Sequence, residues 1–302
     1  MPAQRGTTGI ALATSAEWPE LTPDDRLAGQ ALRRSGVEEV AAVWSDPQVD
    51  WARFHGVVVR SCWDYHLRLD DFHAWLAELE RLGVPTWNPI PTLRWNLHKS
   101  YLLELRQAGV RVVPTHLARR GSQPGLDALR RELGRQKLVA KPAVSTSARG
   151  TWCLEPGQDA RSQARLEREL SQADVLVQPL VEEVATRGEW SLIFIGGRFS
   201  HAVLKRARPG EFRVQAEWGG SAHAALPPAG LREEAERALV CAPSETLYAR
   251  ADLVETAEGP LLMELELVEP ELFFRCDRES PDRFRRALAA PSYGARTRRE
   301  KS

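Results

Sequence analysis

Cysteine is scarce in this chain: Cys62, Cys153, Cys241 and Cys276 are the only four, and no two stand in a CxxC spacing. That argues against a zinc knuckle, a redox couple or a disulfide framework, and reduced thiols are the expectation. Long apolar runs are missing too. Nowhere do the roughly 18 apolar residues of a membrane span occur in succession, and residues 1–21 lack the apolar stretch and small-residue cleavage site of a secretory signal. A cytoplasmic protein is expected. Neither sign of charge is in excess, because 41 Lys plus Arg balance 41 Asp plus Glu. Nothing electrostatic therefore points to nucleic acid or an anionic membrane as partner. A GxxxxGK[ST] phosphate loop is absent, no Ser/His/Asp arrangement is evident, and there is no internal repeat or low-complexity segment.

The 302 residues, 43% hydrophobic and 27% charged, suit a globular protein of two or three subdomains. Strand-like runs at 10–14, 37–44 and 56–60 alternate with helical patterns. One helix opens at Asp24-Asp25 and carries Leu27, Ala31 and Leu32; another carries Phe72, Trp75, Leu76 and Leu79 and stops at Gly83 and Pro85. This alternation predicts an α/β layer with a parallel sheet. Residues 88–91 read as a turn, followed by one helix from about 92 to Gly109 through Trp95, Tyr101, Leu102 and Leu105. Further strands are expected at 110–115, 138–141, 175–177, 190–195, 198–204 and 213–216, and helices at 161–170 and 231–241. A hairpin should pair 248–254 with 261–267 around Glu258-Gly259-Pro260, and the Arg-, Lys- and Ser-rich tail after Pro291 should be disordered.

Four clusters could carry chemistry. Glu264 and Glu266 are two apart in a strand and share a face, and Asp252 joins them if the two hairpin strands pair. Such oxygen ligands suit Mg²⁺ shared with nucleotide phosphates; the same alternation also describes an ordinary half-exposed strand. Lys141 ends an apolar strand and precedes Pro142 and the small-residue loop to Gly150, whose backbone N–H groups can fold over phosphate. Lys99, after Asn96-Leu97-His98, is a second phosphate contact or a plain surface charge. Gln178-Pro179-Leu180-Val181-Glu182 leaves a strand carrying an acid, which suits an adenine edge and a ribose. Lys205, Arg206, Arg213 and Gln215, followed by Gly219-Gly220, supply a basic clamp or a polar hairpin.

In this order, over about residues 85–275, these pieces resemble the ATP-grasp superfamily and, within it, the bacterial glutathione synthetases. The resemblance implies an α/β (α+β) ATP-grasp fold: an N-terminal pre-ATP-grasp α/β domain at 1–98, a central lid at 99–177, a C-terminal catalytic domain at 178–290 and a tail at 291–302. It implies ATP held by Lys99, Lys141, Gln178, Pro179, Leu180, Val181, Glu182 and Glu189, with Mg²⁺, or Mn²⁺ as the alternative, on Asp252, Glu264 and Glu266. Glu266 stands where the family usually has asparagine, and the loop after Lys141 has less glycine than usual. Arg213 and Lys205 take the catalytic positions and Gln215 a substrate position.

Arg60-Ser-Cys-Trp-Asp64-Tyr65-His66, Val43-Trp44 and Glu269-Pro-Glu-Leu-Phe-Phe274 narrow the likeness to the D-cycloserine synthetases, which close O-ureido-D-serine with ATP. By this likeness Arg60 and Asp64 fall on the substrate side, Arg60 gripping a carboxylate; the other reading of Arg60 is a structural arginine bound to Asp64 or Asp70. Trp63 and Tyr65 either line a pocket or pack the domain. The implied activity is ATP-dependent C–N ligation of a small amino-acid-like substrate, with cyclisation as one form and a homo-oligomer as one assembly. An intermolecular amino-acid or peptide ligase, a small-molecule kinase and a non-catalytic ATP-binding regulator are the alternatives.

Overall fold

The structure is a computed structural model and describes residues 9–290; the tail expected at 291–302 lies outside the described residues. β1 (Ile10–Thr14), β2 (Glu39–Val43), β3 (Val57–Val59) and β4 (Thr86–Trp87) form a parallel sheet in the order β2-β1-β3-β4. All residues of β1 and β3 are buried, as expected for parallel strands covered on both faces. Helix α1 (Asp25–Arg34) links β1 to β2, and α2 (Leu69–Leu82) links β3 to β4. α2 ends at Gly83, whose φ of +68° is the left-handed cap that glycine takes without strain. Trp44, Phe72 and Trp75 pack under this layer, with ring centroids 5.1 Å apart for Trp44–Phe72 and 5.2 Å for Phe72–Trp75.

The single helix expected from 92 to 109 is two: α3 (Ile90–Leu97) and α4 (Tyr101–Gln107). His98 is extended at φ −107°, ψ 120°. The break is stabilised by other partners: the Lys99 N–H donates to Ala143 O at 2.8 Å and the Ser100 N–H to His98 Nδ1 at 3.2 Å.

A second sheet, antiparallel in the order β5-β8-β6-β7, follows from β5 (His116–Ala118), β6 (Leu138–Pro142), β7 (Trp152–Leu154) and β8 (Val175–Pro179). It is covered by α5 (Leu126–Leu133) and α6 (Asp159–Leu170). After the short α7 (Glu183–Thr186) comes a five-stranded antiparallel sheet, β11-β10-β9-β12-β13, from β9 (Glu189–Ile195), β10 (Arg198–Arg206), β11 (Ser221–Ala224), β12 (Tyr248–Thr256) and β13 (Gly259–Glu266). Helix α8 (Ala229–Val240) packs on β12 and β13, and α9 (Ser280–Leu288) returns to α1. No helix among the described residues is long and apolar enough to cross a membrane.

Two expected strands are absent. Residues 110–115 contribute only the bridge Val112↔Leu262, and residues 213–216 lie in a loop. In the second case the Glu211 carboxylate accepts the N–H groups of Phe212 (2.9 Å) and Arg213 (3.1 Å), which turns the chain before it can pair. β11 takes the edge instead.

β13 lies at the other edge of its sheet, and side chains close it. The Asn96 amide donates to Leu265 O at 2.8 Å and accepts from Leu267 N at 2.7 Å; the Tyr101 hydroxyl accepts from Leu265 N at 3.1 Å. Asn88, fully buried, is no mere turn residue. Its Nδ2 donates to Tyr248 O (2.9 Å) and Leu267 O (2.7 Å), and its Oδ1 accepts from Leu247 N (2.8 Å) and Tyr248 N (3.4 Å). Asn88→Ala strands these backbone groups, and at about 1–3 kcal/mol for each unsatisfied buried group it should cost roughly 3 kcal/mol or more in urea unfolding. A loss under about 1 kcal/mol would show that the contact is dispensable.

Candidate active site

A cavity of about 590 Å³ runs between the two antiparallel sheets and under the N-terminal layer. Its floor is one charged face of the five-stranded sheet. Cross-strand partners put Lys205 opposite Glu189, Ser191 opposite Asp252, Asp252 opposite Glu264 and Arg250 opposite Glu266. The register shifts between Asp252 and Leu253: Asp252 faces Glu264 but Leu253 faces Leu262, so Met263 is the extra residue of a β-bulge. Met263 and Glu264, adjacent in sequence, therefore both line the cavity.

The floor pairs nearly every charge. Lys205 Nζ is 2.5 Å from Glu189 and 3.3 Å from Asp252, and Arg250 Nη2 is 3.0 Å from Asp252 and also contacts Glu266. Ser191 donates to Asp252. Burial alone would raise Asp252, but Arg250 and Lys205 hold its carboxyl at about 2. Lys99 Nζ reaches Glu264 at 3.0 Å and Ser145 O at 2.7 Å. Against burial, Lys99 and Lys141 keep the Glu264 carboxyl below its ordinary range. Glu266 goes the other way: burial, helped by Glu264 and opposed by Arg250, pushes it up to about 7. Glu269, just beyond β13, is pushed to about 8 by burial and by Glu266. The Lys141 ammonium is lowered by burial, and its side chain makes no hydrogen bond or ion pair among the described residues and faces the cavity beside Lys99 and Glu264.

No group of three His, Cys, Asp or Glu among the described residues is arranged to hold a metal. The donor set still fits Mg²⁺, which uses one or two carboxylates together with substrate phosphates rather than an all-protein cage. Asp252 and Glu264 are direct cross-strand neighbours on the cavity floor, close enough for two such ligands.

Three loops shape the rest. Residues 142–150 cross the cavity mouth, with positive φ at Ser147 (+50°) and Ala148 (+52°). The Thr146 hydroxyl donates to Trp63 O at 2.9 Å, and Trp218 Nε1 donates to Ser147 O at 3.3 Å. Gln178, Pro179, Leu180 and Val181 line the opposite end with Met263; the Gln178 side chain donates to Thr115 Oγ1 at 2.8 Å. The 211–220 segment brings in Arg213 and Gln215. Arg213 is ion-paired with Glu211 at 2.7 Å, which holds that carboxyl at about 2, and stacks on Trp218 at 3.3 Å. Gln215 Oε1 is buried without a partner.

Three expected residues lie elsewhere. Arg60 is fully buried outside the cavity: its Nε bonds Asp25 at 2.9 Å, its Nη2 donates to Pro270 O at 2.6 Å, and its guanidinium lies 4.9 Å from the Tyr248 ring centroid. It is structural, and its acid is Asp25 rather than Asp64 or Asp70. Asp64 faces outward, accepting from Trp44 Nε1 (2.7 Å) and Arg68 (2.9 Å). Glu182 is exposed and off the cavity wall because the chain turns into α7 there. Arg250 was not foreseen as a site residue, although Arg250-Ala251-Asp252 in a strand already places both charges on one face. Trp63 and Tyr65 both line the cavity.

Gly220 is held against the Arg213 segment so closely that a Cβ there would lie 1.9 Å from Val214 O. Gly220→Ala must displace that backbone, and because a shift near 1 Å can cost on the order of 100-fold, kcat/KM should fall at least about 10-fold. Gly125→Ala, with an ordinary φ of −76° and open space around it, serves as the control; equal kcat/KM in the two variants would contradict a working role for the 213–215 segment.

Comparison with known proteins identifies the fold and the family. Residues 10–88 match the family described as D-cycloserine synthetase DcsG, N-terminal domain. The cycloserine biosynthesis protein DcsG of Streptomyces lavendulae is 32% identical over 304 residues, spanning 93% of this chain and 97% of that protein. The crystal structure of D-cycloserine synthetase DcsG superposes with a TM-score of 0.84 at 29% identity, covering 92% of this chain and 98% of that one. A D-alanine–D-alanine ligase from Bacillus anthracis shares the fold, with a TM-score of 0.69 at 15% identity over 98% and 100% of the two chains. A likeness that runs through the parallel layer and the charged floor alike makes this chain a member of the DcsG family of ATP-grasp enzymes, and an ATP-dependent carboxylate–amine ligase.

Proposed function

We propose that the protein closes an amino acid carrying its own nucleophilic nitrogen into a ring, with O-ureido-D-serine or a near analogue as substrate. The observation that carries this reading is that hydrogen bonds at Trp63 tie the 142–150 loop to the Glu269 turn at the acid end of the cavity. There Thr146 meets Trp63 at 2.9 Å, and Trp63 Nε1 donates to Glu269 O at 3.0 Å. That tie favours a small substrate over a peptide acceptor, which needs an open path.

In this reading the adenine lies against residues 178–181 and Met263, with Glu189 and Lys205 on the nucleotide side. Lys99 and Lys141 hold the phosphates, and Asp252, Glu264 and Glu266 hold Mg²⁺, for which Mn²⁺ is the expected substitute. When bound, the metal neutralises phosphate charge. A substrate carboxyl or ureido carbonyl oxygen attacks the γ-phosphorus and ADP leaves. Arg250 and Arg213 stabilise the charge that develops. The internal nitrogen then displaces phosphate and gives up its proton. The moving lid would be the 99–177 unit over the 178–290 unit. Such an enzyme would serve the biosynthesis of a cyclic amino-acid antibiotic.

Phosphate release from Mg·ATP, measured against O-ureido-D-serine and a panel of amino acids singly and in pairs, tests this. Release with O-ureido-D-serine alone, with a cyclised product by mass, is the expected result. Release only with pairs of amino acids would overturn cyclisation in favour of an intermolecular ligase.

A further inference from the structure

Along the cavity wall each acid near the acid end has a cationic partner, with one exception. Asp252 is paired with Arg250 and Lys205, Glu264 with Lys99, Glu266 with Arg250 and Glu271 with Arg275. Glu269 lines the same cavity and is only 9% exposed, yet its carboxylate makes no hydrogen bond or ion pair among the described residues. A carboxylate that is largely buried, open only to the cavity and without a protein partner calls for an explanation.

The chain is built to hold it there. The Glu269 carbonyl accepts from Trp63 Nε1 at 3.0 Å, and the next carbonyl, Pro270 O, accepts from Arg60 Nη2 at 2.6 Å. Arg60 is itself fixed by Asp25 at 2.9 Å. The buried arginine that does not reach the cavity thus anchors the turn that presents Glu269. Glu269 lies three residues past Glu266, which puts it within about 10 Å of it along the chain and on the side walled by Trp63 and Tyr65. Aromatic faces there add to the attraction for a cation. A nucleotide's phosphates have the wrong charge for this end.

We propose that Glu269 is the seat of the substrate's ammonium group, and that it selects acids carrying a free amine and orients the neighbouring carboxyl toward Glu264 and Glu266. The inference rests on the reading of the substrate as amino-acid-like, and it holds whether or not the product is a ring. Glu269 takes no part in bond making; it recognises substrate.

The test compares wild type, Glu269→Gln and Glu269→Asp on whichever acid of the panel releases most phosphate from Mg·ATP. The des-amino analogue of that acid is scored as a substrate or as a competitive inhibitor. Loss of one charge-assisted hydrogen bond corresponds to about 10- to 100-fold. E269Q should lower kcat/KM for the amino acid by that factor, raise its KM, and leave KM for ATP and the constant for the des-amino analogue unchanged. E269D, which keeps the charge, should recover part of the loss, and unchanged ATP binding shows that the variants are folded. If the best acid is not O-ureido-D-serine but the pattern holds, the cyclisation reading falls and the ammonium seat stands. The seat is overturned if E269Q still prefers the amino acid as wild type does, if wild type treats the two acids alike, or if the variant changes KM for ATP or Mg²⁺ instead.

Discussion

The working part of this enzyme depends on how the free edge of β13 is closed. An edge strand exposes unpaired N–H and C=O groups, and here they are met by the Asn96 amide, the Tyr101 hydroxyl and the backbone at Arg111 and Val113. Asn88 ties the end of that strand to the start of β12. Because Asn96 and Tyr101 flank the break between α3 and α4, closing the edge also sets Lys99 against Glu264 at 3.0 Å. The Lys99 N–H then holds Ala143, at the base of the 142–150 loop. One set of hydrogen bonds therefore positions an acid, a lysine and a loop together.

The second constraint is electrostatic. Six ionisable groups on adjoining strands of one sheet face would repel or be desolvated at a cost unless interleaved. Interleaving is what the register achieves, with Lys205 and Arg250 lying between Glu189, Asp252 and Glu266. The arrangement is held ready for ions. In the proposed reading, a cation entering beside Asp252 and Glu264 would compete with Lys205, Arg250 and Lys99 for these acids. Of the lysines lining the cavity among the described residues, Lys141 is the one without an ion pair.

Much of this could be read from the sequence, and the reasons for the rest are local. Period-2 spacing identified the acids on β12 and β13, and the order of short motifs pointed to the ATP-grasp fold. The bulge at Met263 was invisible because MELEL reads as unbroken alternation. The helix break at 98–100 was missed because its partners, Ala143 and Glu264, are distant in sequence. For Arg60 the sequence leaves two readings, a substrate arginine by resemblance and a structural arginine at a strand end; the fold shows that Asp25 and Pro270 claim it. Glu269 gave no signal beyond its place in a recurring motif, since what marks it is a missing partner.

The direct test of the charged floor as a shared metal and phosphate site is crystallographic. Crystals grown with Mn²⁺ and a non-hydrolysable ATP analogue should show anomalous density against Asp252, Glu264 and Glu266, with the analogue's phosphates on Lys99 and Lys141. Metal density elsewhere in the cavity, with nucleotide bound against residues 178–181 and these three carboxylates still paired to Lys99, Lys205 and Arg250, would contradict it.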